Sequence, residues 1–266
     1  MSASTPRLFR FPGLGAATSL FFVYLYAPIL VLVVLSFNAG QQATLWGGFS
    51  TRWYGVVLGN DDLMRAFRNS LIVASTATLV ATALATLAAL GTARDRFRGQ
   101  QAVAGLIGLP LVVPEIVTAV ATLLFFVLIG LPLSLLTVIL AHIVFCIPFA
   151  YLPIRARLQD MDPTLEDAAM DLYADRVQTF RRITLPLLWP GVLSGAMLAF
   201  IISLDDFVIT YFVSGAGATT LPVYIFGMIR IGISPEVNAV SALMLLVSIL
   251  FVALSWLVGR ARRGMG

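Results

Sequence analysis

Long, uninterrupted apolar runs separated by short polar stretches dominate this chain. The runs are continuous rather than alternating, so they predict helices and argue against the two-residue period of a β-barrel. A helix that crosses a bilayer needs about 20 mostly apolar residues. Runs of that length fall at 17–37, 69–93, 102–129, 133–154, 187–213 and 239–259. Four of the six contain no charged residue. The pattern predicts an all-α membrane protein with six transmembrane helices, in a single transmembrane domain covering 1–266.

Composition agrees and excludes several functions. The chain is 59% hydrophobic and 11% charged, with mean hydropathy +0.96. A soluble domain carries about a quarter charged residues. All 17 basic residues are Arg. Without Lys the chain cannot form a Walker A phosphate loop or a Schiff base. The lone Cys146 excludes a disulfide framework and a cysteine metal cluster, and reads as a small packing residue. The net charge of +4 favours the inner leaflet over nucleic acid as a partner.

Arginine placement sets the expected orientation. With both termini cytoplasmic, thirteen Arg fall inside: Arg7, Arg10, Arg94, Arg96, Arg98, Arg155, Arg157, Arg176, Arg181, Arg182, Arg260, Arg262 and Arg263. Four fall outside: Arg52, Arg65, Arg68 and Arg230. The run Leu14 to Phe37 is too long for the apolar region of a signal peptide and is read as a retained span. In the second span Ala77, Ala81, Ala85 and Ala89 recur at helical spacing. Such a row lets two backbones approach closely in lipid, with general alanine richness as the alternative.

One polar insert interrupts the apolar pattern. Six acids lie within sixteen residues: Asp160, Asp162, Glu166, Asp167, Asp171 and Asp175. Asp162-Pro163 predicts a helix start, with a short helix from Pro163 to Leu172. Asp175 predicts the cap of a second helix from Arg176 to Ile183, ended by Leu185-Pro186. Surface-lying membrane helices are basic on their polar face, whereas this helix is acidic, so a protein groove suits it better than lipid.

Asp167-Ala168-Ala169, three residues, Tyr173, nine residues, Ile183 and then Leu185-Pro186 resembles the EAA loop of bacterial ABC-importer permeases. Asp167 replaces Glu. Tyr173 replaces Gly, at a turn where positive φ is costly for Tyr, leaving either a different turn or a ring that fills part of a docking surface. Asn38, Trp53-Tyr54, Asn69-Ser70-Leu71, Pro110 to Glu115, Ser203 to Val208 and Thr219 to Tyr224 are similar to the spermidine/putrescine permeases, in particular the second, PotC-like sister permease. The resemblance implies the type I ABC importer permease architecture and a cytoplasmic coupling loop at 155–186. Its ATPase-coupling residues would be Glu166, Asp167, Ala168, Ala169, Tyr173, Ile183, Leu185 and Pro186. It also implies a sister permease forming a heterodimer, two ATPase subunits that hold ATP and Mg, an extracytoplasmic polyamine-binding protein and a place in the bacterial inner membrane. No cofactor is expected in this chain.

Glu115, Asp205 and Asp206 lie inside predicted spans, where charge costs about 2.5–3.5 kcal/mol on insertion scales and marks a cavity or partner. No Arg lies within a span, so the path suits a cationic solute. On straight helices Glu115 lies roughly 20 Å from the inner face and Asp205 roughly 27 Å. A helix kinked at Pro114, which frees the Pro110 carbonyl, is the local alternative for Glu115. Phe207 and Tyr211 are candidate cation–π partners, with ordinary packing as the alternative. His142 and Cys146, one turn apart, lack a third ligand and do not form a metal site; the histidine is read as packed or hydrogen-bonded. Of the outer loops at 38–68 and 214–238, the second predicts a flexible turn and then a short interfacial or re-entrant helix. The expected function is polyamine import by alternating access. The alternative is a permease of the same branch for another organic cation or an amino-acid-like solute. An intramembrane enzyme would need more than these acids, and an ATP-independent channel or scaffold would not copurify with an ATPase.

Overall fold

The computed structural model describes residues 13–94, 97–162, 164–232 and 234–263. Arg7, Arg10, Arg96 and Pro163, used above for orientation and capping, lie outside the described residues, as do the side chains of Arg94, Arg260, Arg262 and Arg263. The described residues are almost entirely helical. The helices are α1 (Leu14–Leu35), α2 (Arg52–Leu58), α3 (Asp61–Arg94), α4 (Gln100–Val112), α5 (Glu115–Leu128), α6 (Leu135–Gln159) and α7 (Thr164–Asp171). They continue as α8 (Arg176–Thr179), a π-helical segment (Phe180–Thr184), α9 (Leu185–Asp205), α10 (Val208–Val213), α11 (Leu221–Ile231) and α12 (Pro235–Arg263). Among the described residues five helices are long and apolar enough to cross a membrane, and the α4–α5 pair makes up to six. The six predicted runs are therefore all present, with two differences in kind.

The third run is not one rod. Val113 is extended because the proline that follows it crowds the helical conformation, and α4 and α5 meet at 109°. The fifth run does not start at 187. Its helix is continuous from Arg176 to Asp205, and α10 is a separate short helix beyond a break at Asp206-Phe207. Leu185-Pro186 does not end the preceding helix as expected. In the π-helical segment the backbone bonds shift to the fifth residue back, and the proline that follows is absorbed without a stop.

The chain divides into two compact units, one formed by the chain up to Gly59 with Met228–Leu246, the other by Asn60–Gly227 and the chain from Val247 on. In the first, α1 buries none of its residues, as befits a helix that is apolar all round and meant for hydrocarbon. The loop after it is built on Asn38, which is fully buried. Its side-chain amide donates to the Gln42 and Leu45 carbonyls and its oxygen accepts from the Gly40 and Gly47 amides. Tyr54 shares a 2.6 Å hydrogen bond with Ser36 and packs its ring on Phe37.

The second unit is organised by α3, α6 and α9. Ala81, Ala85 and Ala89 of α3 are fully buried against Cys146, Ala150, Tyr151 and Ile154 of α6 and Leu188 and Ala199 of α9. The alanine row is thus a packing seam. A second small-residue row lies on α9: Gly191, Gly195, Ala199 and Ser203 face α6 in antiparallel register. Arg157 Nε donates to the Leu187 carbonyl at 2.9 Å, Cys146 Sγ reaches the Ala199 carbonyl at 3.5 Å, and His142 Nδ1 meets Ser203 Oγ at 2.7 Å. A Cβ on Gly195 would stand 2.5 Å from the Ala150 carbonyl oxygen, which explains why only glycine fits there. A neighbouring cluster joins Val73 of α3, Ala119 and Phe126 of α5, Val138, Ala141 and Phe145 of α6, and Ile209 and Val213 of α10.

The turn after α10 is held rather than free. Asn69 donates to the Gly217 and Thr219 carbonyls, Ser70 Oγ accepts from the Leu221 amide, and Asn60 reaches Tyr224 Oη. The expected short helix follows as α11.

Candidate functional site

Where α9 ends, the backbone turns extended at Asp206 and the chain restarts as α10. The Asp206 carboxylate folds onto the start of that new helix. It accepts from the Ile209 amide at 3.3 Å, the Thr210 amide at 2.9 Å and Thr210 Oγ1 at 2.9 Å. These are amides that a helix start leaves without intrahelical partners. Opposite, His142 of α6 places Nε2 3.1 Å from Asp206 Oδ2 and 2.9 Å from Thr210 Oγ1. His142 and Asp206 are both almost completely buried. With Nε2 as donor toward these oxygens, Nδ1 is free to accept from Ser203.

Glu115, the first residue of α5, brings its carboxyl close to that of Asp206. The bend at Val113-Pro114 makes this possible. On a straight third span Glu115 was expected at a different depth from Asp205, the neighbour of Asp206. With α4 turned through 109°, its thirteen residues no longer add rise along the α5 axis, and the depth assigned to Glu115 is withdrawn. Asp205 is exposed beside the pair. Three carboxyl groups therefore lie near one break, with Asp205 exposed, Glu115 half-buried and Asp206 buried.

Phe207 and Tyr211 stand next to these acids. Their rings contact each other at 5.3 Å, and Phe207 packs on Phe226 at 4.6 Å. Phe207 is engaged in ordinary packing, while Tyr211 keeps nearly half its surface exposed. A cavity of about 630 Å³ between α4, α5 and α6 is lined by Pro110, Val113, Val117, Phe125, Leu140 and their neighbours. Its wall is mostly apolar, with Thr118 and Thr122 as its hydroxyl-bearing residues.

Sequence reasoning found the three acids but missed their partners. His142 had been read as packed or hydrogen-bonded, which is what the structure shows, but nothing in its sequence neighbourhood pointed to Asp206, sixty-odd residues away. The spacing Asp206 to Thr210, one helical turn, was the local signal available.

The cytoplasmic-side insert predicted at 155–186 forms the second candidate region. Asp162 Oδ1 accepts from the Thr164 amide at 3.0 Å and its hydroxyl at 2.8 Å, opening α7. Those two donors hold the Asp162 carboxyl below the usual carboxylate range. Asp175 caps α8 by accepting from the Gln178 amide at 2.7 Å, as expected. Asp167 and Ala168 face outward, while Ala169 is buried. Tyr173 adopts φ 63°, the left-handed conformation that the family's glycine would serve. The Ala174 amide donates to the Ala169 carbonyl and the Tyr173 amide to the Met170 carbonyl, which defines a Schellman turn. Ile183, in the π segment, and Leu185, just after it, are half-buried, and Pro186 is exposed. Glu166 differs from the other acids: its Oε1 accepts from Thr184 Oγ1 at 2.6 Å.

Residues 81–265 match the family described as binding-protein-dependent transport system inner membrane component. The chain is 46% identical over 231 residues to the putrescine transport system permease protein PotI of Escherichia coli K12, covering 84% of this chain and 82% of the relative. It is 41% identical over 239 residues to the spermidine/putrescine permease PotC of Haemophilus influenzae, covering 90% and 93%. Among solved structures, a bacterial ABC transporter that imports alginate superposes with TM-score 0.69 at 16% identity, over 98% of this chain and 99% of that one. The MetNI methionine ABC transporter superposes with TM-score 0.63 at 18% identity, over 80% and 99%. These two likenesses concern the fold.

Proposed function

Because the chain belongs to the family of binding-protein-dependent transport system inner membrane components, with the fold of an ABC-importer permease, we propose that it carries a polyamine into the cytoplasm. The observation that carries this reading is the convergence of Glu115, Asp205 and Asp206 at one break in the membrane helices. A set of carboxylates at such a break attracts a cation and repels an anion. The relatives named for putrescine and spermidine support the same substrate class. Glu115 and Asp205 are the carboxylates an ammonium group meets. Asp206, saturated by His142, Thr210 and the Ile209 amide, fixes the shape of the break. Tyr211 offers an exposed ring beside them.

In this reading the chain sits in the bacterial inner membrane with both termini cytoplasmic, paired with a sister permease. An extracytoplasmic binding protein delivers the amine. Two ATPase subunits, holding ATP and Mg, grip α7 and the Schellman turn through Asp167, Ala168 and Tyr173. Their closure on ATP moves the Arg176–Asp205 helix, which carries Asp205 at its far end. The path alternates between outward and inward openings as that helix moves.

The test is reconstitution of the membrane complex with its binding protein and labelled putrescine or spermidine. A copurifying ATPase whose hydrolysis rises with liganded binding protein, together with saturable amine uptake, is expected. Uptake of another organic cation but of neither polyamine would move the substrate. Absence of any ATPase subunit would remove the coupling scheme.

A further inference from the structure

The coupling helix and the long helix behind it are joined by a side-chain contact that the motor-docking scheme does not require. We infer that the Thr184–Glu166 hydrogen bond is the tie that makes α7 and the Arg176–Asp205 helix move together, so that Glu166 is a positioning residue rather than a contact for the ATPase. The inference rests on the coupling reading above.

Four observations lead to it. Thr184 is fully buried, and its hydroxyl donates to Glu166 Oε1 at 2.6 Å, a short bond to a charged acceptor. Ala169, one turn beyond Glu166 on α7, is buried as well, so one face of this short helix packs against the protein. The backbone link between α7 and α8 is only Leu172 to Asp175, with Leu172 and Tyr173 almost fully exposed. An eight-residue helix hung on such a link would swivel under load, since short helices have little rigidity of their own. From Thr184 upward the helix continues without a break to Asp205, locked to α6 by the Gly191–Gly195–Ala199–Ser203 row. A push on α7 that passes through the tie therefore reaches the carboxylate break.

Thr184 also lies at the last position of the π-helical segment. Such segments recur at functional positions in helices, and here the widened turn places the Thr184 side chain toward α7.

The experiment uses the full complex in proteoliposomes, with labelled putrescine and spermidine as probes, and measures amine taken up per ATP hydrolysed. Thr184→Val keeps the branched shape and removes the donor; Thr184→Ser keeps the donor. Glu166→Leu removes the acceptor; Glu166→Gln retains an oxygen that accepts. Thr184→Val and Glu166→Leu are expected to retain the copurifying ATPase and its hydrolysis, while uptake per ATP falls about tenfold, the scale of losing one hydrogen bond to a charged group. Thr184→Ser and Glu166→Gln are expected to stay near wild type. Spin labels at Met170→Cys and Trp189→Cys, in a chain with Cys146→Ala, should give one narrow distance that broadens in Glu166→Leu. Wild-type uptake per ATP in Thr184→Val overturns the inference. So does failure of Thr184→Val and Glu166→Leu to assemble while their conservative counterparts do, since the pair would then serve folding only. A wild-type complex without ATPase or amine uptake instead overturns the functional reading beneath it.

Discussion

Single residues in this protein are placed by backbone geometry and by space. Tyr173 occupies the left-handed position of a Schellman turn with its side chain 98% exposed. An L-residue pays about 1–2 kcal/mol there relative to glycine. Tyr173→Gly should therefore steady the turn by about 1 kcal/mol, seen as slower amide hydrogen exchange at Tyr173 and Ala174. If the exposed ring meets the ATPase, the same substitution should weaken ATPase copurification. A stabler turn with unchanged assembly would remove Tyr173 from the docking surface. On α9 the limit is space. Gly195→Val puts a branched side chain where a Cβ already approaches the Ala150 carbonyl oxygen to 2.5 Å. Overpacking of this kind costs about 1–3 kcal/mol. Gly108→Val, with nothing within 4 Å of its Cβ, is the control. Melting of the detergent-solubilised chain should drop for the first and hold for the second.

Elements start and stop where the chain meets a cap, a proline or a change of helical register. The start of α7 depends on Asp162, whose carboxyl is held low by the Thr164 amide and hydroxyl. Because the folded-state value is lowered, the cap's contribution is present above the unperturbed carboxylate value of about 3.9 and is lost as pH falls through the lowered value. Asp162→Asn should retain a cap but lose this acid dependence, which hydrogen exchange of the α7 amides at graded pH would report. Two prolines that look alike in sequence act differently. Pro114 forces Val113 into an extended conformation and the span breaks; Pro186 follows a π-helical turn and the helix runs on. The sequence announced both prolines. It did not announce which one breaks its helix, because that depends on whether neighbouring helices pack around a rod or a bend.

At the scale of the whole chain, the three acids divide by surroundings. Asp206 is buried with four polar contacts. Asp206→Ala should lower the amount of folded protein in the membrane, since it leaves buried donors unpaired at about 1–3 kcal/mol each. Glu115→Gln and Asp205→Asn should leave folding intact and reduce amine uptake, measured with the labelled polyamine at wild-type protein levels. Equal uptake in both would take these acids out of the path.

The pattern of apolar runs was enough to place the helices, since an uninterrupted stretch of about 20 apolar residues has few stable arrangements other than a helix in hydrocarbon. The capping role of Asp175, the buried alanine row of α3 and the turn at Tyr173 were likewise legible, because each depends on neighbours within a few turns. The carboxylate site was legible only in part. Glu115 and Asp206 stood out as charges in apolar surroundings, but His142, Ser203 and Thr210 looked like ordinary side chains. Likewise Glu166 looked like one acid among six until Thr184 came within 2.6 Å of it. Local chemistry fixes how each segment folds; which segments meet is settled by helix packing, through the bend before Glu115, the glycine seam of α9 and the break at Asp206. Those contacts span tens of residues, and no pattern along the chain encodes a distance that only a packed bundle creates.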